Sequence, residues 1–279
     1  MKLRRVMIVL NGMGGDEPLL AQGLALCEAN RAKLDALFVR RNAASGGDFL
    51  GDAFSIYGME TVLEALDDAA SEACIRAHAD FDAMADEAVP VHIGRFIEYV
   101  GLPENAMAEE GRLCDLILVG KPAGEDFHAP MNALEMAAIE TGRPVLALPA
   151  SRPAKADFKR ITIAWDGSLE AMRAVVGAMP LLTQAESVSV IHAGTEAEAT
   201  QQLARFAHYL DIHGVKAAIR TLPYEGKGAA KVLIEASQED RADLLVMGGF
   251  GAAGWKPLIG QDETNVLIRD SDLAILLAH

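Results

Sequence analysis

Long apolar runs are missing from this chain of 279 residues. No stretch approaches the roughly 20 apolar residues that span a bilayer, so a membrane-crossing helix is not expected. The opening segment, Lys2 to Leu10, loosely imitates a secretion signal. Its apolar part is short and no small-residue cleavage site follows, so it reads as a first buried strand. Cysteine is scarce: Cys27, Cys74 and Cys114 stand far apart, with no C-x-x-C pair. A sparse, odd set points to a reducing compartment and to thiols that serve as small core residues. Basic residues are outnumbered, 25 Lys and Arg against 40 Asp and Glu, for a formal charge of −15. That charge is spread along the chain. It repels phosphate backbones and anionic lipid, which argues against nucleic acid and membrane as partners. The expectation is a soluble cytoplasmic protein.

Catalytic signatures are equally sparse. Gly167-Ser168 lacks the Gly-x-Ser-x-Gly elbow that would make Ser168 a nucleophile. His208 and His213, five residues apart, do not share a helix face and make a poor metal pair. His192 and His279 both fall at strand ends and are candidates for lining a pocket, although a satisfied strand-end histidine is the simpler reading. Asp80 and Asp82 point apart on a helix and read as a solvated face. The stripe Val62-Leu63, Leu66, Ala69-Ala70, Ala73 reads as core. The aromatics Phe49, Phe54 and Tyr57 sit in an extended loop, as covers for a pocket or interface or as core.

What the sequence does contain is a repeat. Arg5-Val6-Met7-Ile8-Val9-Leu10-Asn11 recurs as Arg160-Ile161-Thr162-Ile163-Ala164-Trp165-Asp166, and Cys114-Asp115-Leu116-Ile117-Leu118-Val119-Gly120 recurs as Ala242-Asp243-Leu244-Leu245-Val246-Met247-Gly248. Each copy is a nearly continuous apolar run ending in a polar residue or glycine, as in parallel strands buried on both faces. The order of the two elements is the same in each half, which points to internal duplication. Strands are expected near 4–10, 34–39, 88–93, 114–119 and 144–148, then 160–165, 187–192, 215–221, 242–247 and 272–277. Helices are expected between them, notably over 17–30, 59–86, 169–179, 195–213, 227–239 and 256–268. The fold class is therefore α/β, two tandem doubly wound parallel five-stranded sheets of Rossmann-like type. The linker Pro149-Ala150-Ser151-Arg152-Pro153-Ala154-Lys155-Ala156 divides the chain into a first domain, 1–150, and a second, 157–279.

Open parallel sheets bind ligands beyond the carboxyl ends of their strands, where the strand order reverses. In the second half those ends are Trp165-Asp166-Gly167-Ser168 and Met247-Gly248-Gly249-Phe250-Gly251. Asp166 can accept from a ribose hydroxyl or an adenine amine, and the glycines permit close approach of a phosphate. Equally, Asp166-Gly167-Ser168 can simply turn the chain and cap a helix. In the first half, Asn11-Gly12-Met13-Gly14-Gly15 lacks the third glycine of a dinucleotide fingerprint and reads as a turn.

Ile161 to Ser168 with the helix through Ala171, Ala174 and Val175 resembles the opening of universal stress protein domains. Ala242 to Gly248 with its glycine loop, Cys114 to Gly120, and Glu140-Thr141-Gly142-Arg143-Pro144-Val145-Leu146 resemble later segments of the same family, in the right order. The resemblance spans nearly the whole chain. It implies an adenine nucleotide hydrolase-like fold and, in many members, ATP bound without a defined turnover. The binding pattern is Gly, two residues, Gly, nine residues, then Gly with Ser or Thr. Here Gly248 and Gly251 supply the first pair. Gly260 follows after only eight residues, and Gln261 stands in the hydroxyl position. Asp262 and Glu263 come next, where carboxylates would face phosphates; Lys256 or magnesium would have to offset them. Adenosine recognition is better preserved, implying Ala164, Trp165, Asp166, Ala193 and Met247 around base and ribose.

The first half departs further from the pattern, with Asn11 for the aspartate and Gly120-Lys121-Pro122-Ala123-Gly124 after its fourth strand. Lys121 reads as a solvated lysine there, with contact to an anion as the alternative. The resemblance implies a non-catalytic stress-response protein with an adenine nucleotide in the second domain, and pairing of the halves through their last strands in imitation of a dimer. The alternatives are a nucleotide-free scaffold that recruits a protein partner or forms a homo-oligomer, and a slow ATP hydrolase using Asp166 or Glu263 as base.

Overall fold

The computed structural model describes residues 2–41, 56–121, 128–154, 157–194, 196–223, 228–250 and 261–279. The first half runs β1 (Arg5–Leu10), α1 (Asp16–Asn30), β2 (Lys33–Arg40), α2 (Ile56–Glu87), β3 (Ile93–Val100), α3 (Pro103–Glu110), β4 (Leu116–Gly120), α4 (His128–Thr141) and β5 (Val145–Leu148). The second half runs β6 (Arg160–Ala164), α5 (Leu169–Leu182), β7 (Ser187–Ala193), α6 (Glu196–Ile212), β8 (Ala217–Leu222), α7 (Ala229–Glu239), β9 (Leu244–Gly248), α8 (Gln261–Asp270) and β10 (Ala274–Ala278).

All described strands lie in one ten-stranded sheet, ordered β3-β2-β1-β4-β5-β10-β9-β6-β7-β8. Read outward from the middle, each half has the same strand order, and within each half neighbouring strands are parallel. The halves meet where β5 pairs antiparallel with β10, Leu146 opposite Leu276. Side chains alternate across the sheet with period two. Val6, Ile8 and Leu10 pack with α1, α2, α5 and α6 on one face, while Met7 packs with α3, α4, α7 and α8 on the other. The result is helix, sheet and helix in three layers, which accounts for strands without polar alternation.

The repeat carries polar detail as well. The Asp115 carboxylate accepts from the backbone N–H groups of Arg4 (2.8 Å) and Arg5 (3.0 Å). Asp243 accepts from Lys159 (3.1 Å) and Arg160 (2.9 Å) in the same way. In both halves the residue before the fourth strand latches the start of the first.

The strand expected over 88–93 is displaced. Pro90–His92 forms a 3-10 turn, and β3 follows it over Ile93–Val100. Pro90 has no N–H for a strand ladder but suits the first position of a turn. The helix expected from 256 begins at Gln261, residues 256–260 lying outside those described. The glycine-rich loop expected around Ser45-Gly46-Gly47 and the aromatics Phe49 and Phe54 also fall outside the described residues, whereas Tyr57 lies in the first turn of α2 and not in a loop. The stripe on α2 is less buried than its pattern implied: Ala73 is core, but Val62 and Leu66 are exposed.

Candidate nucleoside-binding edge of the second half

The carboxyl ends of β7, β6 and β9 lie side by side, and the reversal of winding falls between β6 and β9. Ala164 and Met247 both belong to the core on the α7 and α8 face. Ala193, two residues beyond Ile191 of that same core, shares the face by strand alternation. Two alanines and a flexible thioether side chain thus end three neighbouring strands on one side.

Asp166 follows directly. Its Oδ1 accepts from Ser168 N at 2.9 Å, while the Ser168 hydroxyl accepts from Ala171 N at 3.1 Å and caps α5. The turn-and-cap role is therefore real, and Gly167 enables it at φ +77°. The second carboxylate oxygen of Asp166 has no hydrogen bond among the described residues.

Trp165 is placed elsewhere. Its ring stacks on Phe206 of α6, with centroids 3.7 Å apart and ring planes nearly parallel, within the core on the α5 and α6 face. It does not join Ala164 and Met247. His192 lies next to it: Nδ1 donates to the Trp165 carbonyl at 2.9 Å, and Nε2 is buried without a partner among the described residues. His279 likewise has a buried Nδ1 with no partner among the described residues, while its carbonyl accepts from Arg173 at 2.8 Å.

Gly248 answers first to packing. A Cβ there would stand 2.7 Å from Ala171 N, so the end of β9 presses against the first turn of α5. Gly120 holds the matching position, where a Cβ would come within 2.7 Å of Leu19 Cδ1 of α1. Phe250 is buried and left-handed at φ +56°, a conformation that costs a non-glycine residue about 1–2 kcal/mol. Gly251 and Gly260 lie outside the described residues. Gln261 opens α8, with its side chain beyond description.

Glu263 was not assigned a structural role by its sequence. Its Oε2 accepts from Ala230 N at 2.6 Å, and its Oε1 lies close to Gly228, so the carboxylate sits on the N-terminus of α7. A helix N-terminus favours such a charge. Among the described residues no group of three His, Cys, Asp or Glu is placed to hold a metal ion, and no helix is long and apolar enough to cross a membrane.

Lys121 corrects the expectation of a solvated side chain. It is largely buried, donating to the backbone carbonyls of Ser271 and Leu273 (3.1 Å for the latter) and to the Ser271 hydroxyl. Burial pulls its ammonium down to about 8, with Asp272 opposing the shift. At the corresponding first-half turn, Gly12 abuts the backbone of Ala73 in α2, and its carbonyl accepts from Arg76 at 2.9 Å. Asp16, fully buried, accepts from Gly12 N (2.7 Å) and Asn11 N, and burial raises its pKa against those bonds. The first-half edge is thus closed by its own chain at Gly12.

Neither a protein-family model nor a curated protein matches the chain. Solved structures do. A universal stress protein from Archaeoglobus fulgidus DSM 4304 superposes with a TM-score of 0.68 at 15% identity, over 99% of this chain and 96% of that one. The fold is that of universal stress proteins. A universal stress protein from Pseudomonas aeruginosa UCBPP-PA14 gives a TM-score of 0.56 at 14% identity, covering 99% of this chain and 93% of its own. A functionally unknown protein from Pseudomonas aeruginosa PAO1 gives 0.58 at 14%, covering 99% and 92%. In each, the universal stress protein fold or its equivalent extends along nearly the whole of both chains.

Proposed function

We propose that the chain is a tandem universal stress protein, with domains at 1–150 and 157–279, whose second domain binds an adenine nucleotide through the adenosine moiety. The observation that carries this reading is the convergence of Ala164, Ala193 and Met247 on one face at the winding reversal, with an Asp166 carboxylate oxygen that has no hydrogen bond among the described residues. Small side chains leave room for a planar base, and a free carboxylate oxygen accepts from a ribose hydroxyl. The two-domain division is supported by the duplicated latches of Asp115 and Asp243 and the duplicated packing of Gly120 and Gly248.

The described residues suit the nucleoside better than the phosphates. Glu263 holds its carboxylate at the α7 N-terminus, and a phosphate chain nearby would meet that charge. With ATP as ligand, magnesium would enter as counter-ion of the phosphates. Binding without turnover is favoured over slow hydrolysis because both candidate bases, Asp166 and Glu263, already accept a backbone hydrogen bond. The scaffold reading draws on Phe250, whose buried side chain joins the core on the same face as Ala164 and Met247.

The test is to denature the purified protein, assay the supernatant for adenine nucleotide, and titrate stripped protein with adenosine, AMP and ATP with magnesium by calorimetry. Saturable binding that Asp166→Ala weakens at least about tenfold supports the reading. Protein that arrives empty and ignores all three ligands leaves the scaffold.

A further inference from the structure

At the opposite, amino edge of the sheet the first half carries a cavity of about 370 Å³, lined by Arg4, Arg5, Lys33, Asp35, Ile93, Gly94 and Arg95. Four cationic side chains gather there in a protein whose formal charge is −15. They come from the starts of three adjacent strands, β1, β2 and β3. Asp35, only 4% exposed, forms the floor. Its Oδ2 accepts from Arg5 Nε at 2.7 Å and its Oδ1 from Arg95 N at 2.9 Å. Glu110 of α3 accepts from Arg5 (3.0 Å) and Arg95 (3.2 Å). Arg4 and Lys33 form no side-chain ion pair among the described residues and are exposed.

The backbone is specialised at this point. Leu34 pairs with Ile93 and Ala36 with Phe96, so Gly94 and Arg95 together oppose Asp35 in a β-bulge. A Cβ on Gly94 would fall 1.9 Å from Asp35 Oδ1, so only glycine lets the carboxylate reach the bulge and hold Arg95. Bulges redirect side chains and recur beside functional sites.

The second half is a control within the same molecule. By register with Arg5 and Arg160, Lys33 corresponds to Ser187 and Asp35 to Ser189. There β7 and β8 pair with no shift, Ser189 opposite Ala218, and the cavity shrinks to about 180 Å³. The fold therefore forms without the bulge, the buried carboxylate or the basic cluster.

We propose that this first-half cleft binds a phosphoryl group, as inorganic phosphate or as a small phosphomonoester. Asp35 and Glu110 neutralise about half of the local positive charge and orient the guanidinium groups, leaving a net charge suited to a dianion. Arg4, Lys33 and Arg95 approach from separate strands, which matches the several acceptor oxygens of a tetrahedral phosphate better than a planar carboxylate. Local focusing in a cleft overrides the unfavourable global charge at close range, within a Debye length.

The test uses the full chain at constant ionic strength, with phosphate followed by phosphorus NMR and calorimetry, chloride and acetate as controls, and phenyl phosphate as the ester probe. Saturable phosphate binding is expected. Lys33→Gln and Arg95→Gln, both exposed side chains, each weaken it roughly tenfold with thermal stability maintained. Glu110→Gln, which frees two guanidinium groups, tightens it severalfold. Tighter binding of phenyl phosphate than of phosphate assigns an ester, and equal binding assigns the free ion. No saturable binding, or binding unchanged in a folded Lys33→Gln, Arg95→Gln double variant, overturns the proposal. Binding lost in Asp166→Ala overturns it too, because the phosphate would then sit at the second-half edge. Loss of adenosine binding alone leaves this cleft untouched.

Discussion

Lys121, at the end of the fourth strand of the first half, donates its buried ammonium to the carbonyl of Ser271, just ahead of the last strand of the second. The antiparallel pairing of β5 and β10 brings the carboxyl end of one half to the amino end of the other's final strand. A single lysine consequently spans the junction between halves, beyond the C-terminus of α8, where carbonyls lack helical partners.

Its depressed pKa has a definite stability consequence. The folded pKa is about 8 against 10.5 for the free side chain, so between those values the unfolded chain binds the extra proton. Stability then rises with pH across that window, by about 3 kcal/mol in total for this one group. Below pH 8 both states are protonated and the slope vanishes. Urea unfolding of the parent and of Lys121→Met from pH 7 to 10 checks this: the difference between the curves grows with pH, and a constant difference contradicts it.

Gly120 and Gly248 occupy equivalent sites but meet different neighbours. A methyl group at Gly248 strikes backbone, Ala171 N, whereas at Gly120 it strikes the movable end of Leu19. Gly248→Ala is expected to cost about 2–3 kcal/mol and Gly120→Ala about 1 kcal/mol or less. Chemical denaturation of the two variants gives the order directly.

The duplicated latches predict matched losses. Asp115→Ala and Asp243→Ala each strand two backbone N–H groups at the start of a first strand, at an expected cost of about 1–3 kcal/mol. Hydrogen exchange should show the loosening confined to β1 in one variant and β6 in the other.

Thiol chemistry should be slow in the native protein. Burial pushes Cys27 up to about 12 and Cys114 up to about 11, so neither is thiolate near neutrality. Iodoacetamide should label both at a rate set by unfolding, and fast labelling under native conditions would refute the burial described here.

Much of the architecture was legible because burial on both faces writes itself as continuous apolar runs. The first and fourth strands of each half and their repetition could be read that way, and with them the doubly wound order. The third strand of the first half could not: Val89, Val91 and Ile93 mimic a strand, and only the turn imposed at Pro90 moves it on. At the candidate edge, the places of Asp166 and Met247 were legible from their positions at strand ends, and that of Ala164 from the family resemblance. Trp165 was not, because a one-residue step reverses the face of the sheet and its ring then finds Phe206.

The sequence by itself determined the first and fourth strands of each half, that their pattern occurs twice, and where the winding reverses, since these follow from local hydrophobic period and chain order. The tertiary structure alone decided the pairing of Lys121 with Ser271, the seat of Glu263 on α7, and the basic cleft around Asp35. Each joins residues far apart in the chain, and the partner of a buried charge is set by which strands lie side by side and in what register.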